Sequence, residues 1–280
     1  MTAEDATDLA TAALGTGGRL DGAALKSCCA AVYAHPAVRW LLGDELHPGG
    51  PRTTRRSLEL AGVGPGDRLL DVASGSGGSA LLAARELGAS VVGVEYGADA
   101  VRAATEAAGA VRLGARVSFV QGDAEALPVD DGAFDVALCE CSLCTFPDQA
   151  RAMAELRRAL RPGGRLVLSD VIAEKERLPA SLRGDLATIA CVGSALPVDG
   201  YERLLAEAGF EAVRIESRDE DAARLAERVE ERLRGARLLG FGSLAELPLS
   251  VEDALARIGE VREAIAAGAL GYAIFSAVRE

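Results

Sequence analysis

The sequence predicts an α/β fold in which a parallel sheet is covered on both faces by helices. Two observations predict it. From Leu58 onward, short apolar runs alternate with stretches whose apolar residues fall at helical spacing, the pattern of strands joined by crossover helices. The runs are also continuous rather than alternating, as strands buried on both faces read. Residues 1–57 differ. "LKSCCAAVYAHPAVRWLL" has helical spacing interrupted at Pro36, and "GDELHPGGPR" is a Gly/Pro-rich loop. The chain therefore divides into an N-terminal helical cap over 1–57 and an α/β domain over 58–280.

Each element follows in order. "RLLDVA" (Arg68–Ala73) is the first strand, and the glycine turn "SGSGGS" follows it directly. "ALLAARELG" is a helix closed by Gly88. "SVVGVE" (Ser90–Glu95) is the second strand, "ADAVRAATEAAG" a helix, and "RVSFVQGD" (Arg116–Asp123) the third strand. "FDVALCE" (Phe134–Glu140) is the fourth. "DQARAMAELRRALRPGG" is a helix with a Pro-Gly-Gly stop, and "RLVLSDV" (Arg165–Val171) is the fifth strand. "VDGYERLLAEAGF" is a helix that opens on a capping box of Asp199 and Glu202. "EAVRIES" (Glu211–Ser217) and "LGYAIFSAVR" (Leu270–Arg279) complete seven strands. Between the last two, residues 218–269 form an amphipathic helical insert with Leu225, Val229 and Leu233 on one face, expected as a lid or wall.

The composition narrows the functional classes. A net charge of −12 argues against a nucleic-acid partner. No apolar run is long enough to span a bilayer. The start, "MTAEDATDLA", lacks the basic region of a secretory signal. A cytoplasmic protein with reduced thiols is expected, so the six cysteines point to packing, metal binding or chemistry rather than a disulfide framework.

Open α/β sheets bind ligands at the carboxyl ends of their strands. The loop Ala73–Ser79 lies there. Gly75 and Gly77 allow close approach of backbone to a ligand. Glu95 ends the second strand and is placed to accept hydrogen bonds from both hydroxyls of a ribose. Gly75, Gly77 and Ala80 also suit a dinucleotide fingerprint, so the loop alone does not choose.

The order "LLDVASGSG", "VVGVE", "GDAEALP", "FDVALCE", "LRPGGRLVLSD" resembles the class I S-adenosylmethionine-dependent methyltransferases. The resemblance covers about 58–217 and the last strand. It implies a Rossmann-like, seven-stranded, mostly parallel sheet with an antiparallel last strand, and S-adenosylmethionine as cofactor. The methionine part falls on Asp71, Ala73, Ser74, Gly75 and Gly77, and the ribose on Glu95 with Tyr96 beside it. The adenine falls on Asp123, Ala124 and Glu125, and Cys139 and Glu140 end the fourth strand at the same pocket. Ala73 replaces the family's first loop glycine, which is tolerable if its φ is negative.

Cys139, Cys141 and Cys144 cluster after the fourth strand. They read as small buried hydrophobes, as part of a Cys₄ zinc site, or as soft ligands for a thiophilic substrate. "CSLCTFPDQARAMAELRRALRPGGRLVLSDV" followed by "ATIACVGSALPVDGY" is similar to the arsenite methyltransferase family. That resemblance implies trivalent arsenic held by Cys141 and Cys191, with Cys28 or Cys29 as a further ligand and Cys139 and Cys144 as auxiliary thiols. The family's Tyr-Gly-Cys-Gly element is replaced by "WLLGDELHPGG", which has no thiol. A lone pair on arsenic carries no proton, so no general base is required, which suits a chain whose only histidines are His35 and His47. A thiol reductant such as glutathione or thioredoxin is an expected partner, with no nucleic acid and no membrane. A small organic acceptor with structural cysteines, and a cofactor-binding protein without catalysis, are the rival readings.

Overall fold

The computed structural model describes residues 21–43, 46–183, 185–240 and 250–280. Helices α1 (Gly22–Ala34) and α2 (Pro36–Leu42) form the cap, and α3 (Pro51–Leu60) leads into the sheet, running unbroken through position 57. His35 joins α1 to α2. It is extended at φ −67°, ψ 132°, and its ring accepts from Ala37 N–H, as expected of a residue held out of helix by the following proline.

Seven strands follow: β1 (Arg68–Val72), β2 (Ser90–Glu95), β3 (Val117–Gln121), β4 (Phe134–Glu140), β5 (Leu160–Ala173), β6 (Phe210–Ser217) and β7 (Leu270–Arg279). Their order is β3-β2-β1-β4-β5-β7-β6. All are parallel to one another except β7, which is antiparallel to β5 and β6. The order reverses between β1 and β4, so a crevice opens where crossovers leave to opposite faces.

One face of the sheet packs on α6 (Gln149–Ala159) and α8 (Val198–Glu207), through Met153, Leu156, Tyr201 and Leu205. The other packs on α3, α4 (Gly78–Leu82) and α5 (Ala98–Ala110), through Leu58, Leu82 and Ala108. α4 continues as a π-helical turn, Ala83–Leu87, closed by Gly88 at φ 73°. β1 to β4 are thus apolar on both sides because both sides are covered.

Three local expectations are corrected. α8 has Pro197 at its N-cap and no side-chain cap; Asp199 lies inside the first turn and pairs with Arg203 instead of forming a box with Glu202. β3 is shorter than Arg116–Asp123. β5 begins earlier than Arg165: α6 stops at Ala159, Leu160 pairs with Phe134 at once, and 161–164 bulge before pairing resumes at Arg165. Pro162 has no N–H to give the ladder and Gly163 turns at φ 72°, so the strand interrupts itself there.

The insert forms α9 (Asp219–Leu238) and α10 (Val251–Ala266). The two pack together through Leu233, Val251 and Ala254, with Leu41 of α2 against them. Arg232 donates to the carbonyls of Trp40 and Leu41. The insert braces the cap at the carboxyl edge of the sheet.

Candidate active site

The carboxyl ends of β1, β2 and β4 open onto a cavity of about 600 Å³ roofed by α1, a size typical of small-molecule sites. None of the insert residues described in the structure lines it. The described part of the insert stands behind the cap as an outer wall.

At one end the chemistry is that of carboxylates and glycine backbone. Glu95 is 9% exposed. Its Oε2 accepts from Gly75 N–H at 2.9 Å and its Oε1 from Gly97 N–H at 2.8 Å, which fixes the carboxylate while leaving each oxygen a free lone pair. Gly77 turns at φ 83°, and a Cβ there would lie 2.5 Å from Phe119 Cζ, so only glycine fits. Ala73 has φ 58°. The condition of a negative φ fails, and the left-handed alanine stores roughly 1–2 kcal/mol of strain.

Among the described residues, three buried polar atoms on the cavity wall have no partner: Asp71 Oδ2, Ser74 Oγ and Glu140 Oε1. Burial, then the nearby Glu140 and Glu95, push the Asp71 carboxyl well above its ordinary range. Glu140 Oε2 accepts from Ser79 at 2.6 Å and Thr54 at 3.0 Å, with His47 Nε2 at 3.8 Å. Unmatched acceptors of this kind suit a ligand that brings a cation and hydroxyl donors.

Ala73, Ser74, Gly75, Tyr96, Asp123 and Ala124 all line the cavity, as does Glu140. Gly77, Glu125 and Cys139 are not among its lining residues. Gly77 faces Phe119. Cys139 is fully buried among Leu70, Val72 and Leu168, with its thiol 3.2 Å from Ser142 Oγ and its pKa pushed up to about 12 by burial. Glu125 is drawn away by Lys26, whose ammonium lies 2.8 Å from Asp123 and 2.6 Å from Glu125. Burial opposes the charge on Lys26, but these two hydrogen-bonded carboxylates outweigh it and raise the pKa. Lys26 was not legible as a site residue, because its partners are 97 and 99 residues away.

At the other end the wall is Cys29, Tyr33 and Cys141, with Cys144 and Cys191 one layer behind. Cys141 follows β4, Cys144 lies in the 3₁₀ turn Leu143–Thr145, and Cys191 follows α7 (Asp185–Ile189). Cys191 comes from 50 residues downstream, yet its thiol donates to Cys141 O at 3.4 Å. Hydrogen bonds from Cys141 and then Cys144 hold the Cys191 thiol well below its ordinary range against the opposing effect of burial, and Tyr33 adds to them. Cys141 is driven up by the same contact and by burial.

Cys141 and Cys191 both have left-handed backbones, at φ 50° and 63°. Cys141 N–H is held in place by Ser169 O at 2.6 Å. Strain of this kind persists where surrounding structure imposes it, and it concentrates at functional sites. Cys144 N–H donates to Asp170 Oδ2 at 2.9 Å, and burial followed by the nearby Cys191 raises Asp170 to about 7.

Cys28 and Cys29 separate. Cys29 lines the cavity and feels Cys191, and burial first pushes its pKa up to about 12. Cys28 is fully buried against Ile189. The third thiol beside Cys191 is Cys144, which sequence reasoning set aside as auxiliary. Among the described residues no group of three or more His, Cys, Asp or Glu side chains is arranged to hold a metal ion, and no helix is long and apolar enough to cross a membrane.

Residues 70–168 match the family described as a methyltransferase domain. An arsenite methyltransferase of Halobacterium salinarum is 35% identical over 164 residues, 58% of this chain and 41% of that protein. The 27-O-demethylrifamycin SV methyltransferase of Amycolatopsis mediterranei is 35% identical over 187 residues, 61% of this chain and 68% of that protein. The solved phosphoethanolamine-type N-methyltransferase 2 of Haemonchus contortus, with S-adenosylhomocysteine bound, superposes with a TM-score of 0.74 at 20% identity, over 91% of this chain and 58% of that one. With the glycine turn, the fixed Glu95 carboxylate and the unmatched polar wall, these place the chain in a class: it belongs to the S-adenosylmethionine-dependent methyltransferases. The chain spans less than half the length of the halobacterial relative it matches.

Proposed function

We propose that the chain transfers a methyl group from S-adenosylmethionine to a thiophilic centre held by cysteine, with trivalent arsenic as the first choice of acceptor. The observation that carries this reading is the meeting of Cys141, Cys144 and Cys191 at the far end of the cofactor cavity, two of them on left-handed backbone. The similarity to an arsenite methyltransferase supports it.

Asp71, Ser74, Glu95 and Glu140 are the residues to hold the cofactor, since their acceptors match its ammonium and ribose donors, with the Gly75 backbone at the turn beside them. When bound, the cofactor supplies an electrophilic methyl on a sulfonium. The chain's own work is positioning. Cys191, which lies against both Cys141 and Cys144, is the first ligand; Cys141 and Cys144 complete a pyramid, and Cys29 is the reserve thiol from the cap. Soft thiolates select soft centres, and the lone pair left on a three-coordinate arsenic faces the cavity without any proton to remove. A thiol reductant such as glutathione or thioredoxin keeps the cysteines free, which fits a cytoplasmic setting.

A second reading has its own observation. His47 lines the cavity beside Glu140, an arrangement able to take a proton from an organic hydroxyl. The rifamycin-type relative methylates a compound of that kind, as its name states.

Transfer of labelled methyl to arsenite in the presence of glutathione separates the two. Cys141→Ser and Cys191→Ser reduce it to background and Cys144→Ser reduces it strongly, because a serine hydroxyl does not ionise near neutral pH. Parent-like rates in Cys141→Ser and Cys191→Ser together reject the arsenic reading.

A further inference from the structure

The cavity reaches Cys29, Tyr33 and Cys141 but stops short of Cys191, although Cys191 lies against Cys141. Tyr33 lines the cavity and touches Cys191 from that side. Its hydroxyl donates to Ile189 O at 3.1 Å and lies 3.1 Å from Cys191 Sγ. One phenol therefore ties the backbone and the thiol of the segment after α7 to the roof of the cavity. Burial, followed by the neighbouring Cys191, keeps the phenol neutral and able to donate by raising its pKa well above the ordinary value.

The mechanics of α1 bear on this contact. Near its start, Lys26 is tied to Asp123 and Glu125. In its middle, Cys28 packs on Ile189. Tyr33 lies in the last turn, beside the extended joint at His35 that Pro36 enforces. The first half of α1 is anchored, and the turn that carries Tyr33 adjoins a break in the helix.

We infer that Tyr33 is the gate to Cys191: an incoming thiophile meets Cys141 at the cavity wall first, and reaches Cys191 only when the Tyr33 hydroxyl releases it. The chemical class of that ligand rests on the proposed thiophilic acceptor; the gate itself is a relation between a phenol and a thiol.

The test is the rate at which iodoacetamide alkylates each cysteine of the reduced full chain, mapped by peptide mass spectrometry. In the open form the Tyr33–Cys191 bond is absent in parent and variant alike. The intrinsic reactivity of Cys191 is then the same in both, and a variant changes only how often it opens. Tyr33→Phe keeps the ring and its packing but removes the hydroxyl with its contacts to Ile189 O and Cys191, and raises Cys191 alkylation at least about fivefold, the population shift of one lost hydrogen bond. Tyr33→Ala raises it at least as much, while Cys28 and Cys139 keep their parent rates in both variants.

An unchanged Cys191 rate overturns the gate. So does a parallel rise at Cys28, Cys139 and Cys191, which is general loosening. Phenylarsine oxide, a thiophile that needs no methyl transfer, separates this from the functional reading. If parent and Cys141→Ser bind it equally weakly, the acceptor assignment falls and the alkylation result stands. If the parent binds it tightly and alkylation of Cys191 is insensitive to Tyr33, the gate alone falls.

Discussion

At the β1–β2 end of the cavity, Asp71 and Glu95 present carboxylates on a frame of glycine backbone, and Glu95 is already fixed by two N–H donors. At the β4–β5 end, Cys141, Cys144 and Cys191 present thiols among Ala173, Leu178 and Leu270. The first end holds unpaired charge-seeking atoms; the second holds weak donors satisfied by one another. A ligand recognised by hydrogen bonding and charge belongs at the first, and a ligand recognised by polarisability belongs at the second. The ends also differ in how they are built. The Glu95 carboxylate is held by Gly75 and Gly97, 20 and 2 residues away, whereas the thiol end closes only when a segment 50 residues downstream arrives.

The sharpest way to break this comparison is to exchange the losses. Glu95→Ala should weaken S-adenosylmethionine binding by about 1.5–3 kcal/mol, the worth of hydrogen bonds to a charged group, measured by calorimetry. Cys191→Ser, in the same experiment, should leave that affinity within about twofold of parent, since 1.4 kcal/mol corresponds to tenfold. If Cys191→Ser costs the cofactor as much as Glu95→Ala does, the two ends are not separate.

A smaller effect concerns Asp71. Its folded pKa is raised above the reference value of 3.8. Such a group stabilises the fold below its unfolded pKa and loses that contribution as pH rises through the folded value. In the cofactor-free chain at neutral pH, Asp71→Asn should therefore stabilise by about 1–3 kcal/mol, the cost of a buried polar group without a partner. Denaturant unfolding should show a larger gain at high pH than near pH 4. An equal gain at both would mean that ionisation of Asp71 is not the cause.

The smallest effect is at Ala73. Ala73→Gly relieves the left-handed alanine but adds unfolded-state entropy, leaving a net gain of up to about 1 kcal/mol. A lowered midpoint of denaturation would show that the loop stores no strain there.

The carboxylate end was legible for a physical reason. Gly75 and Glu95 are fixed by strand ends and a turn, and such signals are local. β2, β4 and β7 begin and end where their apolar runs do. The N-terminus of α8 misled because Asp199 and Glu202 satisfy the spacing of a capping box without the geometry, Pro197 having taken the cap. Lys26, Tyr33 and Cys144 escaped for the opposite reason. Nothing near Lys26 in the chain announces Asp123, nothing near Tyr33 announces Cys191, and Cys144 looks like core until Cys191 folds against it. Ala73 shows a further limit: an alanine there was tolerable on condition of a negative φ, and the turn between β1 and the glycines imposes a positive one.

The antiparallel course of β7 has a consequence for how such a protein can change over generations. Since β6 runs parallel to β5 and β7 returns beside them, the chain leaves β6 and enters β7 at the same edge of the sheet, with Arg218 N–H bonded to Tyr272 O at 2.7 Å where the two meet. Everything between those points is a closed excursion. It can lengthen, shorten or be exchanged while every strand register stays as it is. The excursion rests on the cap through Leu41 and Arg232, and the cap roofs the thiols. Selection for a different substrate therefore has a segment on which to act that is mechanically connected to the cavity, through the cap at one end and through the bond from Thr53 to Asp221, beside Thr54, at the other.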